Sequence, residues 1–172
     1  MNIVNFKNTK KKRARVIGGF GLIEIVVGIG MLTTTMVSIL LYYKQVLYVS
    51  NETTLYIQSG FLLEEGVEAV KMIRDEGWTK NIAPLSTTTT YYLQWSGTKW
   101  ATTTVQQITE NIFVRSFRLS DVKRDGSDNI AIAGTYDPGT KKVTMSVVRP
   151  LRGGMSYSTS SAETYITNIF KN

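Results

Sequence analysis

One uninterrupted apolar stretch limits what this chain can fold into more than any other feature of its sequence. Residues 20–43 read FGLIEIVVGIGMLTTTMVSILLYY and carry a single charge, on Glu24. As an α-helix this stretch is about 36 Å long, which is enough to cross a hydrocarbon core of roughly 30 Å. Tyr42 and Tyr43 close it where aromatic side chains favour the membrane interface, and Lys44 follows. The sequence therefore predicts a transmembrane helix over residues 20–43.

The positive charge of the chain lies almost entirely before this helix. The 172 residues have a formal net charge of +7. Residues 1–19 contain no acid and hold six cations: Lys7, Lys10, Lys11, Lys12, Arg13 and Arg15. A basic segment before a membrane helix is typical of a cytoplasmic N-terminus, with the rest of the chain on the other side. A basic arm that binds nucleic acid is the other common interpretation, but the apolar stretch argues against it, and the nearly neutral remainder indicates no specific nucleic-acid surface.

Two residue types are missing, and their absence excludes much enzyme chemistry. The chain has neither cysteine nor histidine. Disulfides, thiolate zinc sites, iron–sulfur clusters, cysteine nucleophiles and Ser-His-Asp triads are therefore excluded. Glu64 and Glu68 are four residues apart on a predicted helix, but such a pair more often forms a solvated face than a catalytic site. We expect a protein that is not an enzyme.

The junction between the basic segment and the apolar stretch has a more specific pattern. Residues 12–24 read KRARVIGGFGLIE. This stretch resembles the leader and cleavage site of type IV prepilins and pseudopilins, in which a basic leader ends in glycine and the fifth mature residue is glutamate. The resemblance implies cleavage between Gly19 and Phe20, N-methylation of Phe20, and a role for Glu24 in subunit assembly. Gly21 departs from the pattern, because the second mature residue in this family is commonly threonine or another small polar residue.

Physical chemistry gives an independent reason to single out Glu24. A charged side chain in a membrane helix costs about 2.5–3.5 kcal/mol at the helix centre and less near the interface. Cleavage exposes the α-amine of Phe20, which has a reference pKa near 8 and stays cationic with one methyl group. A pair between Glu24 and the Phe20 amine of a neighbouring subunit would neutralise both charges and fix the axial position of the subunits. The alternative is an interfacial carboxylate that snorkels to water or is protonated, with no partner.

The resemblance implies a structural subunit, a minor pilin or pseudopilin of a type IV pilus or a type II secretion-like filament. It also implies partners: a prepilin peptidase, other pilin or pseudopilin subunits, a membrane platform protein, an assembly ATPase and the lipid bilayer. The precursor would cross the cytoplasmic (inner) membrane once, N-in and C-out, and the mature form would lie in a filament on the extracytoplasmic side. Pili, DNA-uptake systems and secretion systems remain open. So does an alternative function, that of a membrane-anchored exported binding module that is neither cleaved nor polymerised.

The helix is predicted to continue beyond the membrane. Residues 44–76 contain no proline, and apolar residues recur at helical spacing at Leu63, Val67 and Val70. Gly77 is a plausible C-cap. We expect one helix over about residues 21–76, whose second half docks on a folded domain.

The remaining residues, 77–172, have the pattern of an antiparallel sheet. Strands are predicted over residues 87–95, 99–105, 111–122, 142–149 and 163–170. Turns are predicted at residues 125–129 and 137–140. Asp125 and Asp128 offer oxygen ligands of the kind that calcium prefers, but they lack EF-hand spacing, so a plain turn is the favoured interpretation and no cofactor is expected. The predicted fold class is α+β, with a long N-terminal helix packed on a C-terminal antiparallel β-sheet, as in pilins.

Overall fold

The computed structural model of the chain describes residues 19, 21–151 and 157–170. Helix α1 (Leu22–Glu76) is followed by a single turn, α2 (Trp78–Asn81), and then by strands only. The strands are β1 (Tyr91–Trp95), β2 (Trp100–Thr103), β3 (Ile108–Thr109), β4 (Phe113–Arg124), β5 (Ile130–Ala131), β6 (Thr135–Pro150) and β7 (Tyr157–Thr167). The predicted α+β order of one long helix and then an antiparallel sheet is confirmed.

The chain divides into two compact units. The first unit is Met1–Leu47 and the second unit is Tyr48–Asn172. The boundary falls inside α1, so the first unit contains the beginning of this helix and the second unit contains its remainder together with the sheet. Helix α1 ends at Glu76, as predicted. Gly77 follows it with a φ of 154°, outside the left-handed helical region, and its N–H donates to the Arg74 carbonyl at 3.1 Å.

All strand pairs in the second unit are antiparallel, in the order β2-β1-β4-β6-β7. The short strands β3 and β5 also pair with β4, near its beginning and its end. Alternate side chains of the two central strands face inward and are buried, at Phe113, Phe117, Leu119, Val143, Met145 and Val147. This period of two is the expected pattern for a sheet with one covered face.

The covered face packs against the part of α1 that belongs to the second unit, residues 48–76. Its core joins Ala69, Val70 and Ile73 of the helix to Phe117 and Met145 of the sheet. The helix lies close to the sheet at Gly66, because a Cβ there would lie 2.9 Å from both Arg115 Cδ and Met145 Sδ. An alanine at this turn would fit only if these two side chains shifted.

The predicted turn at residues 137–140 is wrong, because these residues lie within β6. Asp121 pairs with Lys141, but the next residue of β4, Val122, pairs with Asp137. Residues 138–140 are therefore extra residues in a bulge, and the ladder resumes on both sides of it. A bulge is one of the few places where a proline such as Pro138 fits inside a sheet.

The bounds of the predicted strands are only partly right, and β6 begins seven residues before the predicted 142–149, at Thr135. The last strand was expected over residues 163–170, whereas β7 spans Tyr157–Thr167 and pairs with β6 throughout. The first was expected from residue 87, but residues 87–90 form turns and a bend, and β1 begins at Tyr91. The predicted turn at residues 125–129 is confirmed by a hydrogen bond from the Asp128 N–H to the Asp125 carbonyl, at 3.1 Å.

Candidate functional site

The predicted cleavage site lies directly before α1. Gly19 is exposed and outside regular secondary structure, and a Cβ on it would meet no atom within 4 Å. The Gly21 carbonyl starts the helix by accepting hydrogen bonds from the N–H groups of Glu24, at 3.0 Å, and Ile25, at 3.3 Å. Phe20, the predicted N-methylated residue, and the basic leader up to residue 18 lie outside the described residues.

Glu24 lies in the first turn of α1, where its side chain is exposed. A carboxylate near a helix N-terminus is stabilised by the helix dipole, by about 0.3–1 kcal/mol at exposed sites. In the part of the chain that the structure describes, no cation lies within 4.0 Å of the Glu24 carboxylate. The described residues therefore provide the helix dipole for this charge and no ion pair.

The first unit presents apolar side chains on every side of α1. The fraction exposed is 82% for Leu22, 57% for Ile29 and 53% for Leu40. The most apolar 18 residues of α1 are not buried by any other part of the structure. The helix is long and apolar enough to cross a membrane. This agrees with the predicted span over residues 20–43 in length and composition.

Hydroxyl groups inside the apolar stretch are satisfied by the helix itself. Thr34 Oγ1 donates to the Gly30 carbonyl at 3.0 Å, and Thr35 Oγ1 donates to the Met31 carbonyl at 2.7 Å. Ser38 Oγ bonds the Thr34 carbonyl in the same way. Because each donor has a partner one turn back, these residues add little polar cost in lipid. The threonine run therefore does not argue against a membrane location.

A buried arginine that sequence reasoning missed joins α1 to the sheet in the second unit. Arg115 is 4% exposed, and its Nη1 donates to the Leu62 carbonyl at 3.2 Å and pairs with Glu65 Oε2 at 3.0 Å. Its guanidinium carbon lies 5.2 Å from the ring centroid of Trp100. Arg115 alternates with Phe113 and Phe117, so its inward position could have been found from the strand period alone. Its partners on α1, Leu62 and Glu65, lie far away in the chain, and no local signal identifies them.

A second arginine, Arg149 of β6, also reaches α1. Its Nη1 lies 2.8 Å from Glu52 Oε2, and the two side chains are 10% and 17% exposed. Nearby, the hydroxyl oxygens of Ser59 and Ser160 are 3.2 Å apart. The described part of the second unit therefore connects the helix to the sheet through polar contacts as well as through the apolar core.

Among the described residues, which include the predicted acidic face and turn, no three metal-ligating side chains come together. Glu68 pairs with Lys71 at 2.7 Å, as expected for a solvated face. The Asp125 carboxylate accepts hydrogen bonds from the N–H groups of Asn129 and Ser127, which lower its pKa. This carboxylate is therefore engaged in the turn.

The nearby carboxylate of Asp137 also has a partner, the guanidinium of Arg124. Arg124 Nε pairs with Asp137 Oδ2 at 2.6 Å. This hydrogen bond is the main cause of the lowered pKa of Asp137, and a hydrogen bond from Thr140 also lowers it.

No protein-family model matches the chain, and comparisons with curated proteins and with solved structures gave no match.

Proposed function

We propose that this chain is the precursor of a structural filament subunit, a minor pilin or pseudopilin of a type IV pilus or a type II secretion-like system. The observation that carries the proposal is the first-unit part of α1, which has uncovered apolar side chains and follows a basic leader that ends in Gly19. A helix with this surface needs an apolar environment from outside its own chain. A bilayer supplies that environment before assembly, and neighbouring helices supply it afterwards.

The energetic argument for helix packing rests on the exposed apolar area. Burial of one large aliphatic side chain contributes about 1.5–3 kcal/mol relative to exposure in water. Residues 22–47 expose many such side chains, among them Ile25, Met36 and Leu41. Outside the bilayer this surface is stable only when other helices cover it. Cohesion of the filament would therefore come from contacts between helices of different subunits.

Glu24 would determine how those helices are aligned along the filament. Its carboxylate lies in the first turn, and no described residue forms an ion pair with it. The amine that cleavage creates on Phe20 of a neighbouring subunit has the complementary charge at neutral pH. In an apolar bundle this pair forms in one axial position, because a shifted helix would leave both charges unpaired.

The remaining partners follow from the same resemblance. A prepilin peptidase would remove residues 1–19 and methylate Phe20, and a platform protein with a cytoplasmic ATPase would extract the subunit from the membrane. The leader cations would hold the precursor N-in before cleavage. In this function the chain supports assembly and catalyses no reaction.

The direct test is the intact mass of the chain made together with a prepilin peptidase. We expect a loss of residues 1–19 and a gain of one methyl group. A Gly19→Val variant is the matched control and should keep its leader, because the added side chain crowds the backbone that the peptidase must hold. An unprocessed wild-type chain would instead support the alternative, a membrane-anchored exported binding module that does not polymerise.

A further inference from the structure

Two parts of α1 within the second unit are attached to the sheet in different ways. The docked segment, residues 62–73, buries Leu62, Gly66, Ala69, Val70 and Ile73. The entry segment, residues 48–60, buries one residue, Ser59. The two segments belong to the same continuous helix and face the same sheet. Their difference in burial predicts a difference in local stability.

The contacts that hold the entry segment include two polar ones. Glu52 pairs with Arg149, and Ser59 shares a hydrogen bond with Ser160. The ion pair is only half satisfied, because Glu52 Oε1 and Arg149 Nε are buried without a hydrogen-bond partner among the described residues. A buried pair with unsatisfied atoms contributes little net stability, because the desolvation of both groups offsets their attraction.

The entry segment is also loosely packed against β7. An open groove of about 330 Å³ runs beside the Ser59–Ser160 contact, and it is lined by Tyr56, Ile57, Ser59, Gly60, Leu63 and residues 159–161. The half-buried positions of β7 in this region carry small side chains, at Ser158, Ser160 and Ala162. Small side chains beside an open groove make few dispersion contacts with the helix.

Gly60 lies at the end of the entry segment, and packing does not require it. A Cβ on Gly60 would meet no atom within 4 Å, whereas a Cβ on Gly66 would meet Arg115 and Met145 at 2.9 Å. Glycine has one of the lowest helix propensities of all residues. Gly60 therefore weakens the helix at the point where the loosely attached part meets the docked part.

We propose that the entry segment is a detachable part of α1, which opens from β7 about Gly60 while the docked segment stays in place. Opening breaks the Glu52–Arg149 pair and the Ser59–Ser160 hydrogen bond, and it removes the half-buried Leu55 from its contact with the cluster of Leu62, Phe113 and Val147. The core around Ala69, Val70 and Ile73 stays intact. The entry segment can therefore detach from β7 while the sheet of the second unit stays folded. It requires no polymerisation, so it is tested separately from the proposed function.

Hydrogen exchange of the full chain in detergent micelles tests the proposal. Amides of residues 50–60 should exchange about 100-fold or more faster than those of residues 64–73. Gly60→Ala should slow exchange in the entry segment by about fivefold and leave the docked segment unchanged. Equal protection of the two segments, or equal slowing of both by Gly60→Ala, would overturn the proposal.

A second set of variants tests the polar contacts. Glu52→Gln should speed exchange of the entry segment by about tenfold, because it leaves the Arg149 charge buried without a counter-charge. Glu64→Gln, at an exposed carboxylate of the same helix, is the matched control and should change nothing. An effect of Glu64→Gln equal to that of Glu52→Gln would contradict the assigned role of the ion pair.

A reversible cross-link provides the last test, which the absence of cysteine makes simple. Ser59→Cys combined with Ser160→Cys should form a disulfide, since the native hydroxyl oxygens are 3.2 Å apart. Because Ser59 is next to the proposed hinge, oxidation should slow exchange of residues 57–60, and reduction should restore it. Exchange of residues 57–60 that oxidation leaves unchanged would show that opening does not separate this part of α1 from β7.

Discussion

The two ends of α1 bear apolar side chains with opposite surroundings. Near the beginning of the helix Leu40 is 53% exposed, whereas Val70 and Ile73, near its end, are at most 3% exposed. The apolar residues near the end of the helix form one stripe that the sheet covers. Those near its beginning are distributed around all sides of the helix. An apolar stripe indicates a partner within the chain, and an apolar surface on all sides indicates a partner outside it. The comparison thus separates the part of the helix that packs on the sheet from the part that is long and apolar enough to cross a membrane.

The largest expected effect comes from the core beneath the later stripe. Phe117→Ala should lower the free energy of unfolding of the second unit by about 3–5 kcal/mol, because a fully buried ring leaves a cavity. Leu40→Ala should leave that value unchanged, because Leu40 lies in the first unit. All three tryptophans lie in the second unit, so their fluorescence during denaturation in detergent measures it. A Leu40→Ala loss as large as that of Phe117→Ala would break the comparison.

Substitution of a glycine in each part of the helix should give a smaller difference in the stability of the second unit. Gly66→Ala should destabilise the second unit by about 1–3 kcal/mol, because the added methyl group overpacks the contact with Arg115 and Met145. Gly28→Ala should leave the tryptophan transition unchanged, since a Cβ there meets no atom within 4 Å. If Gly28→Ala nevertheless reduces filament formation, close packing of helices from different subunits at this position is the explanation.

Several features of the fold were predictable from local patterns. The absence of proline up to Pro84 and the spacing of apolar residues predicted the helix, and the alternation of residues 142–149 predicted the centre of β6. The bulge at residues 138–140 was not predictable in this way, because proline and glycine signal a turn locally and pairing with β4 decides otherwise.

The polar contacts between helix and sheet were also beyond sequence reasoning. Glu65 has a half-exposed side chain, yet it pairs with the buried Arg115 of β4. Long-range partners of this kind depend on how α1 lies on the sheet, and no spacing in the sequence encodes that. The Gly19, Phe20 and Glu24 pattern is a different case. The sequence predicts it, but Phe20 lies outside the described residues and only the experiments above test it.

The smallest expected effect is the change with pH in the free energy of unfolding of the second unit, which contains Asp125 and Asp137. The pKa of Asp137 is lowered mainly by its hydrogen bond to Arg124, and that of Asp125 by backbone N–H groups. A lowered carboxyl pKa stabilises the folded state above the unfolded pKa, near 3.8, and this stability is lost as the pH falls through the folded value. Denaturation of the second unit should therefore become easier below about pH 4, and Asp137→Asn should flatten that slope. If Asp137→Asn leaves the change of stability with pH unaltered, other carboxylates cause the acid sensitivity.

The most direct test of the central claim compares two carboxylates on α1. Glu24→Ala should be cleaved normally but should appear in sheared filaments about tenfold or more below the wild-type level, because the Phe20 amine of a neighbour is left buried without its counter-charge. Glu64→Ala removes an exposed carboxylate from the second unit and should assemble as the wild type does. The measurement is the ratio of cleaved subunit in filaments to cleaved subunit in membranes. Wild-type incorporation of Glu24→Ala would contradict the account, and its selective retention in the membrane is the result that the account predicts.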